Sequence, residues 1–68
     1  MSATTTVLVT GMTCGHCVAS VTEELEELSG VQDVHVVLDT GAVTITSAEP
    51  LERSDVAGAV QEAGYGLA

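Results

Sequence analysis

Along Thr4–Thr10 apolar and polar residues are dealt to two faces, with Val7 and Val9 on one side, Leu8 and Thr10 on the other, and Gly11 ending the run. A β-branched stretch of this kind predicts a strand. From Cys17 the period lengthens: Val21, Leu25 and Leu28 recur at helical spacing, Glu23, Glu24, Glu26 and Glu27 fall mainly on the opposite side, and Gly30 supplies a stop. Val34, Val36 and Leu38 then alternate with His35 and Val37, Asp39-Thr40-Gly41 makes a turn, and Val43 and Ile45 alternate with Thr44 and Thr46, which predicts a hairpin. Beyond the loop around Pro50, Ser54 is placed to cap a second helix that buries Val56, Ala59, Val60 and Ala63 and stops at Gly64, with a short strand from Tyr65. The order βαββαβ predicts an α+β fold, a ferredoxin-like sandwich whose four-stranded antiparallel sheet is covered on one face by two helices. The first strand-to-helix junction is where function is expected.

With 68 residues, the chain is expected to be a single domain spanning residues 1–68, with a small core. Tyr65 is the lone aromatic, so that core is aliphatic. An enzyme with an enclosed organic-substrate pocket, typically of roughly 300 Å³ or more, is disfavoured. Ten acidic residues face Arg53 alone, for a formal charge of −9. Nucleic acid and anionic lipid are disfavoured partners, since their binders pair Lys and Arg with phosphate. No apolar run approaches the ~18 residues of a membrane span, so no direct membrane insertion is expected. Residues 1–6 lack the basic and apolar regions of a secretory signal, so the expected location is cytoplasmic. There, a nearby cysteine pair points to metal binding or redox chemistry rather than a structural disulfide.

The junction reads Gly11-Met12-Thr13-Cys14-Gly15-His16-Cys17. Cys14 falls in the loop and Cys17 at the start of the helix, whose unpaired N–H groups favour thiolate over thiol. Gly15 is expected to let the loop bend without a Cβ clash. Two sulfurs with His16 close by fall short of the four ligands of structural zinc, whereas soft Cu(I) accepts two or three. A dithiolate Cu(I) carries a net charge of −1 and leaves room for an incoming thiolate, so one ion could also bridge two copies of the chain in a homodimer.

The Met-x-Cys-x-x-Cys motif at Met12–Cys17, with Gly11, His16, Val34-His35-Val36 and Ala63-Gly64-Tyr65, resembles the heavy-metal-associated domain family over nearly the whole chain, and within it the bacterial CopZ-type copper chaperones. That resemblance implies a non-enzymatic copper chaperone with Cys14 and Cys17 as ligands. It also implies Cu(I) transfer to the metal-binding domains of a copper-transporting P-type ATPase, or to a copper-responsive repressor. Eukaryotic members often carry Lys where Tyr65 stands and tend to be basic, so their charge pairing does not carry over to this acidic chain.

Around the cysteines, Met12 is assigned to packing beneath the loop rather than to ligation, and His16 to tuning the thiolates from outside the metal shell. His35 alternates away from the apolar face into solvent. Tyr65 either closes the core or shields the sulfurs with its ring and hydroxyl. The competing function is a thiol-disulfide oxidoreductase, since Cys-Gly-His-Cys also occurs in disulfide isomerases, but the chain has no Trp before Cys14 and is short for that fold. A mercury or zinc carrier, or a metal-binding domain cut from a copper ATPase, are the remaining alternatives.

Overall fold

The computed structural model describes residues 2–68. Its elements are β1 (Ala3–Thr10), α1 (Gly15–Glu26), β2 (Val31–Val37), β3 (Ala42–Ser47), α2 (Arg53–Glu62) and β4 (Gly66–Leu67). The strands form one antiparallel sheet in the order β2-β3-β1-β4, the ferredoxin-like arrangement. In β1 the inward residues Val7 and Val9 are buried, and Val43 and Ile45 do the same on the neighbouring β3. Val21 and Leu25 from α1, and Val56, Ala59 and Val60 from α2, close the core over that face. Each of these is a small aliphatic side chain, so the core depends on close packing of many small contributions rather than on a few large anchors.

The register sets what shares an end of the sheet. Leu8 of β1 pairs with Ala42 of β3, and Thr10 pairs with Gly66 of β4. The β1–α1 loop, the β2–β3 hairpin and the α2–β4 turn therefore lie at the same end. Gly41 fastens the hairpin there: its carbonyl accepts the Val9 N–H at 2.8 Å and its N–H donates to Val37 at 2.9 Å. Its φ is +78°, and a Cβ would stand 2.6 Å from the Val9 carbonyl oxygen, so only glycine fits. At the end of α2 the Tyr65 N–H donates to the Val60 carbonyl and the Gly64 N–H to that of Gln61, a Schellman closure that returns the chain toward β1.

Three local expectations are corrected. α1 ends at Glu26, with Glu27 as its cap, so Leu28 and Gly30 belong to the turn that follows. Ser54 lies inside α2, whose N-cap is Glu52 and receives no side-chain hydrogen bond. β2 stops at Val37, which leaves Leu38 in the hairpin and exposed rather than on the core side. In each case a glycine or serine signal a few residues away marked the element without marking its boundary.

Candidate metal centre

Cys14 is the N-cap residue of α1, with extended backbone (φ −158°, ψ 172°) and no side-chain capping bond, which leaves its sulfur free. Its carbonyl accepts the N–H groups of Cys17 at 3.1 Å and Val18 at 3.3 Å, starting the helix. Cys17 is the third helical residue. The two sulfurs stand 3.6 Å apart as free thiols, Cys14 exposed and Cys17 half-buried. No acidic residue occupies the first turn of α1, so the positive end of that helix is left to the sulfurs.

The Cys17 thiol is lowered from 9.0 to about 6, first by the Thr13 backbone N–H directed at its sulfur and next by the Tyr65 hydroxyl; contact with Cys14 adds to this and desolvation opposes it. Reciprocally, donating toward the Cys17 sulfur, together with desolvation and nearby sulfur charge, raises the Tyr65 hydroxyl above its ordinary 10.0. The Thr13 hydroxyl lies 3.9 Å from the same sulfur. Cys17 is thus held in a small donor cradle, while Cys14 faces solvent.

The residues singled out from the sequence are distributed as follows. Met12 is partly buried against the core beneath the loop. Tyr65 packs its ring on the core and turns its hydroxyl toward Cys17. His16 is exposed on the first helical turn, where its carbonyl accepts the Ser20 hydroxyl at 3.2 Å. His35 is exposed on β2. Among the described residues, no three His, Cys, Asp or Glu side chains gather as a metal site, so the sulfurs converge without a third protein ligand beside them.

The glycine that shapes this loop is Gly11, not Gly15. Gly11 has φ +92°, and a Cβ there would come within 3.3 Å of the Tyr65 ring, so its bare backbone makes the seat for that ring. Gly15 begins the helix, and nothing stands within 4 Å of where its Cβ would be. Thr13 was missed as a functional residue, because its contribution comes through a backbone N–H that no side-chain pattern signals.

The sequence pattern described as "Heavy-metal-associated domain" matches residues 6–66. The chain belongs to that family. It is 41% identical over 64 residues to the copper chaperone CopZ of Bacillus subtilis, covering 93% of each protein. It also matches a mercuric reductase of Shewanella putrefaciens at 35% identity, over 84% of this chain but 10% of that protein. Among solved structures, a CopZ metallochaperone superposes with a TM-score of 0.90 at 28% identity, covering 97% of this chain and all of the other. A copper-binding domain of HMA7, a P-type ATPase, superposes with a TM-score of 0.87 at 28% identity over 100% of this chain and 92% of that domain. The chain is thus a heavy-metal-associated domain of the copper-chaperone kind, homologous to proteins named as chaperones. Among its described residues, no helix is long and apolar enough to cross a membrane.

Proposed function

We propose that this domain is a cytoplasmic copper chaperone that carries one Cu(I) between the thiolates of Cys14 and Cys17 and passes it on by ligand exchange. The observation that carries this is the convergence of two free sulfurs, 3.6 Å apart, on a helix N-terminus with no third ligand among the described residues. Two sulfurs on one ion at bond lengths of about 2.3 Å would stand about 4.0 Å apart in a trigonal shell and about 4.6 Å in a linear one. A small rotation of the exposed Cys14 reaches the first, and a trigonal shell has its third position open to an incoming thiolate. In transfer, the acceptor thiol releases its proton to solvent and forms a Cu–S bond, after which one of the chain's own Cu–S bonds breaks. Repetition with the acceptor's second thiol moves the ion. Cys14, the exposed sulfur, is the one open to the incoming thiolate first, while Cys17 is half-buried.

Met12 supports the loop, His16 tunes the thiolates from outside the shell, and Tyr65 shields and donates to Cys17. Acceptors are the metal-binding domains of a copper-transporting P-type ATPase, which share this fold, or a copper-responsive repressor. The same open shell allows a copper-bridged homodimer. The test is competition of Cu(I) against Zn(II) for the reduced protein, followed by native mass measurement. One Cu(I) per chain, retained against excess Zn(II), is expected; displacement of copper by zinc would overturn the proposal.

The likeness to part of a mercuric reductase gives a second reading, a carrier of Hg(II), which two thiolates bind as readily. A strain lacking the protein that becomes sensitive to Hg(II) but not to copper would favour it.

A further inference from the structure

β1 is paired along most of one side and only at the end of the other. Its residues 3–8 pair with residues 42–47 of β3, whereas β4 meets β1 at Val9 and Thr10, after which the Ala68 N–H donates to the Leu8 carbonyl at 2.8 Å. Two of these bonds fix where each backbone group points. The Val9 N–H is given to Gly41, on the β3 side, and the Leu8 carbonyl accepts from Ala68, on the β4 side. In an antiparallel strand both polar groups of a residue point the same way, and the direction alternates along the chain. Thr5 and Val7 therefore turn their N–H and C=O to β3. Thr4 and Thr6 turn theirs outward, where no strand among the described residues meets them.

An outward row of backbone donors and acceptors is a template for another strand unless something blunts it. The opposite edge of the sheet is blunted: β2 carries Asp33 and a break in register between Val31 and Asp33. β1 has neither. Its register against β3 is continuous, residues 2–10 include no charged residue and no proline, and Thr4 and Thr6 are exposed. Arg53, the single Arg or Lys of the chain, stands beside this edge, its guanidinium donating to the Ala68 carbonyl at 3.3 Å. At the start of β1, Glu49 borders a hollow with Ser2 and Ala3.

We propose that this edge takes the same edge of a second copy of the chain, the two β1 strands running antiparallel with Thr5 on the two-fold axis. In that register the outward groups of Thr4 in each copy meet those of Thr6 in the other, and four N–H···O=C bonds satisfy them all. Leu8 of one copy comes level with Ser2 of the other. The Arg53 that reaches Leu8 through Ala68 is thereby brought to the end where Glu49 of the other copy stands, twice by symmetry. Opposite charges thus meet at this edge in a chain whose charge of −9 otherwise keeps its copies apart.

The contact is small. At about one hydrogen bond per 100–200 Å², four bonds correspond to roughly 400–800 Å², short of the roughly 1,200 Å² of a stable interface, so pairing belongs at about millimolar protein. Thr10 lies five residues beyond Thr5, about 17 Å from the axis, so the two cysteine loops stand more than about 30 Å apart and face opposite ways. The edge-paired dimer therefore needs no copper and leaves both sulfur pairs open, which separates it from a copper-bridged form.

Sedimentation of the reduced protein with a Cu(I) chelator present, from about 20 µM to about 1 mM, tests this. The mass should rise from that of one 6.9 kDa chain toward twice that. Amide exchange read residue by residue should slow at Thr4 and Thr6 by about twofold over the same range, the factor for a half-dimerised protein. Thr6→Pro removes an outward N–H that β3 does not use, a position where an edge strand tolerates proline, so the variant should stay folded and monomeric at about 1 mM. If it fails to fold, amide exchange in the unmodified protein still decides. A wild type that remains monomeric, association that appears only with Cu(I), or a Thr6→Pro dimer as strong as the wild type would each overturn the proposal.

Discussion

Replacing Tyr65 by Phe isolates the hydroxyl that faces Cys17. The ring stays, so the packing over Gly11 and against the core is kept, and what disappears is one donor. The fall of the Cys17 thiol from 9.0 to about 6 is shared, with Thr13 as the largest contributor, Tyr65 second, and Cys14 adding less, all against desolvation. Removing the second-ranked donor therefore moves the Cys17 thiol back up toward its ordinary value and lowers the thiolate fraction near neutral pH. The assay is alkylation of the reduced, metal-free protein by iodoacetamide across a pH series, with Cys17 modification read by mass spectrometry, since only the thiolate reacts. The wild-type midpoint should lie near 6 and that of Tyr65→Phe above it.

The same shift has a stability consequence whose sign is fixed. A thiol whose folded pKa lies below its unfolded value stabilises the fold fully above about pH 9 and loses that contribution as pH falls through about 6. The wild-type Tm should therefore respond to pH across this window more strongly than that of Tyr65→Phe. Coincident alkylation midpoints for the two proteins would refute the donor role of the hydroxyl.

Gly58 sits inside α2 with nothing within 4 Å of its Cβ position, so Gly58→Ala should add about 1 kcal/mol and raise Tm by about 4–8 °C in thermal unfolding. Gly41→Ala should cost about 3 kcal/mol or more, combining the left-handed backbone penalty with the clash on Val9, and should lower the denaturant midpoint accordingly. Met12→Leu should keep Cu(I) affinity in chelator competition and cost less than about 1.5 kcal/mol of stability, whereas a large affinity loss in a folded protein would make Met12 a ligand. His16→Ala should lower affinity by no more than about 100-fold, and X-ray absorption of the copper form should show no nitrogen neighbour that the substitution removes.

Much of this was legible in the chain. Val7, Val9, Val43 and Ile45 alternate strictly because one sheet face is buried and the other is not, and that contrast alone identifies β1 and β3. The two cysteines announce themselves because a soft-metal site needs side chains of a rare type at close spacing. What escaped reading was carried by backbone. Gly11 and Gly15 are indistinguishable as letters, yet only Gly11 has a positive φ and a ring against it. Thr13 acts through its N–H, which every residue but proline has. Ser54 looked like a cap because its chemistry suits one, but α2 begins a turn's fraction earlier at Glu52 and Arg53, set by the loop that precedes it. Leu38 continued an apolar alternation past the strand end, where the Gly41 turn diverts the chain before the side chain can reach the core.

The central claim is that Cys14 and Cys17 together hold the ion. Competition between the reduced protein and a chromophoric Cu(I) chelator tests it most directly, comparing the wild type with a variant carrying both Cys14→Ser and Cys17→Ser. The expected result is that wild type withdraws one Cu(I) per chain from the chelator while the folded double variant withdraws none. A double variant that still competes at wild-type strength would place the copper elsewhere and contradict the account.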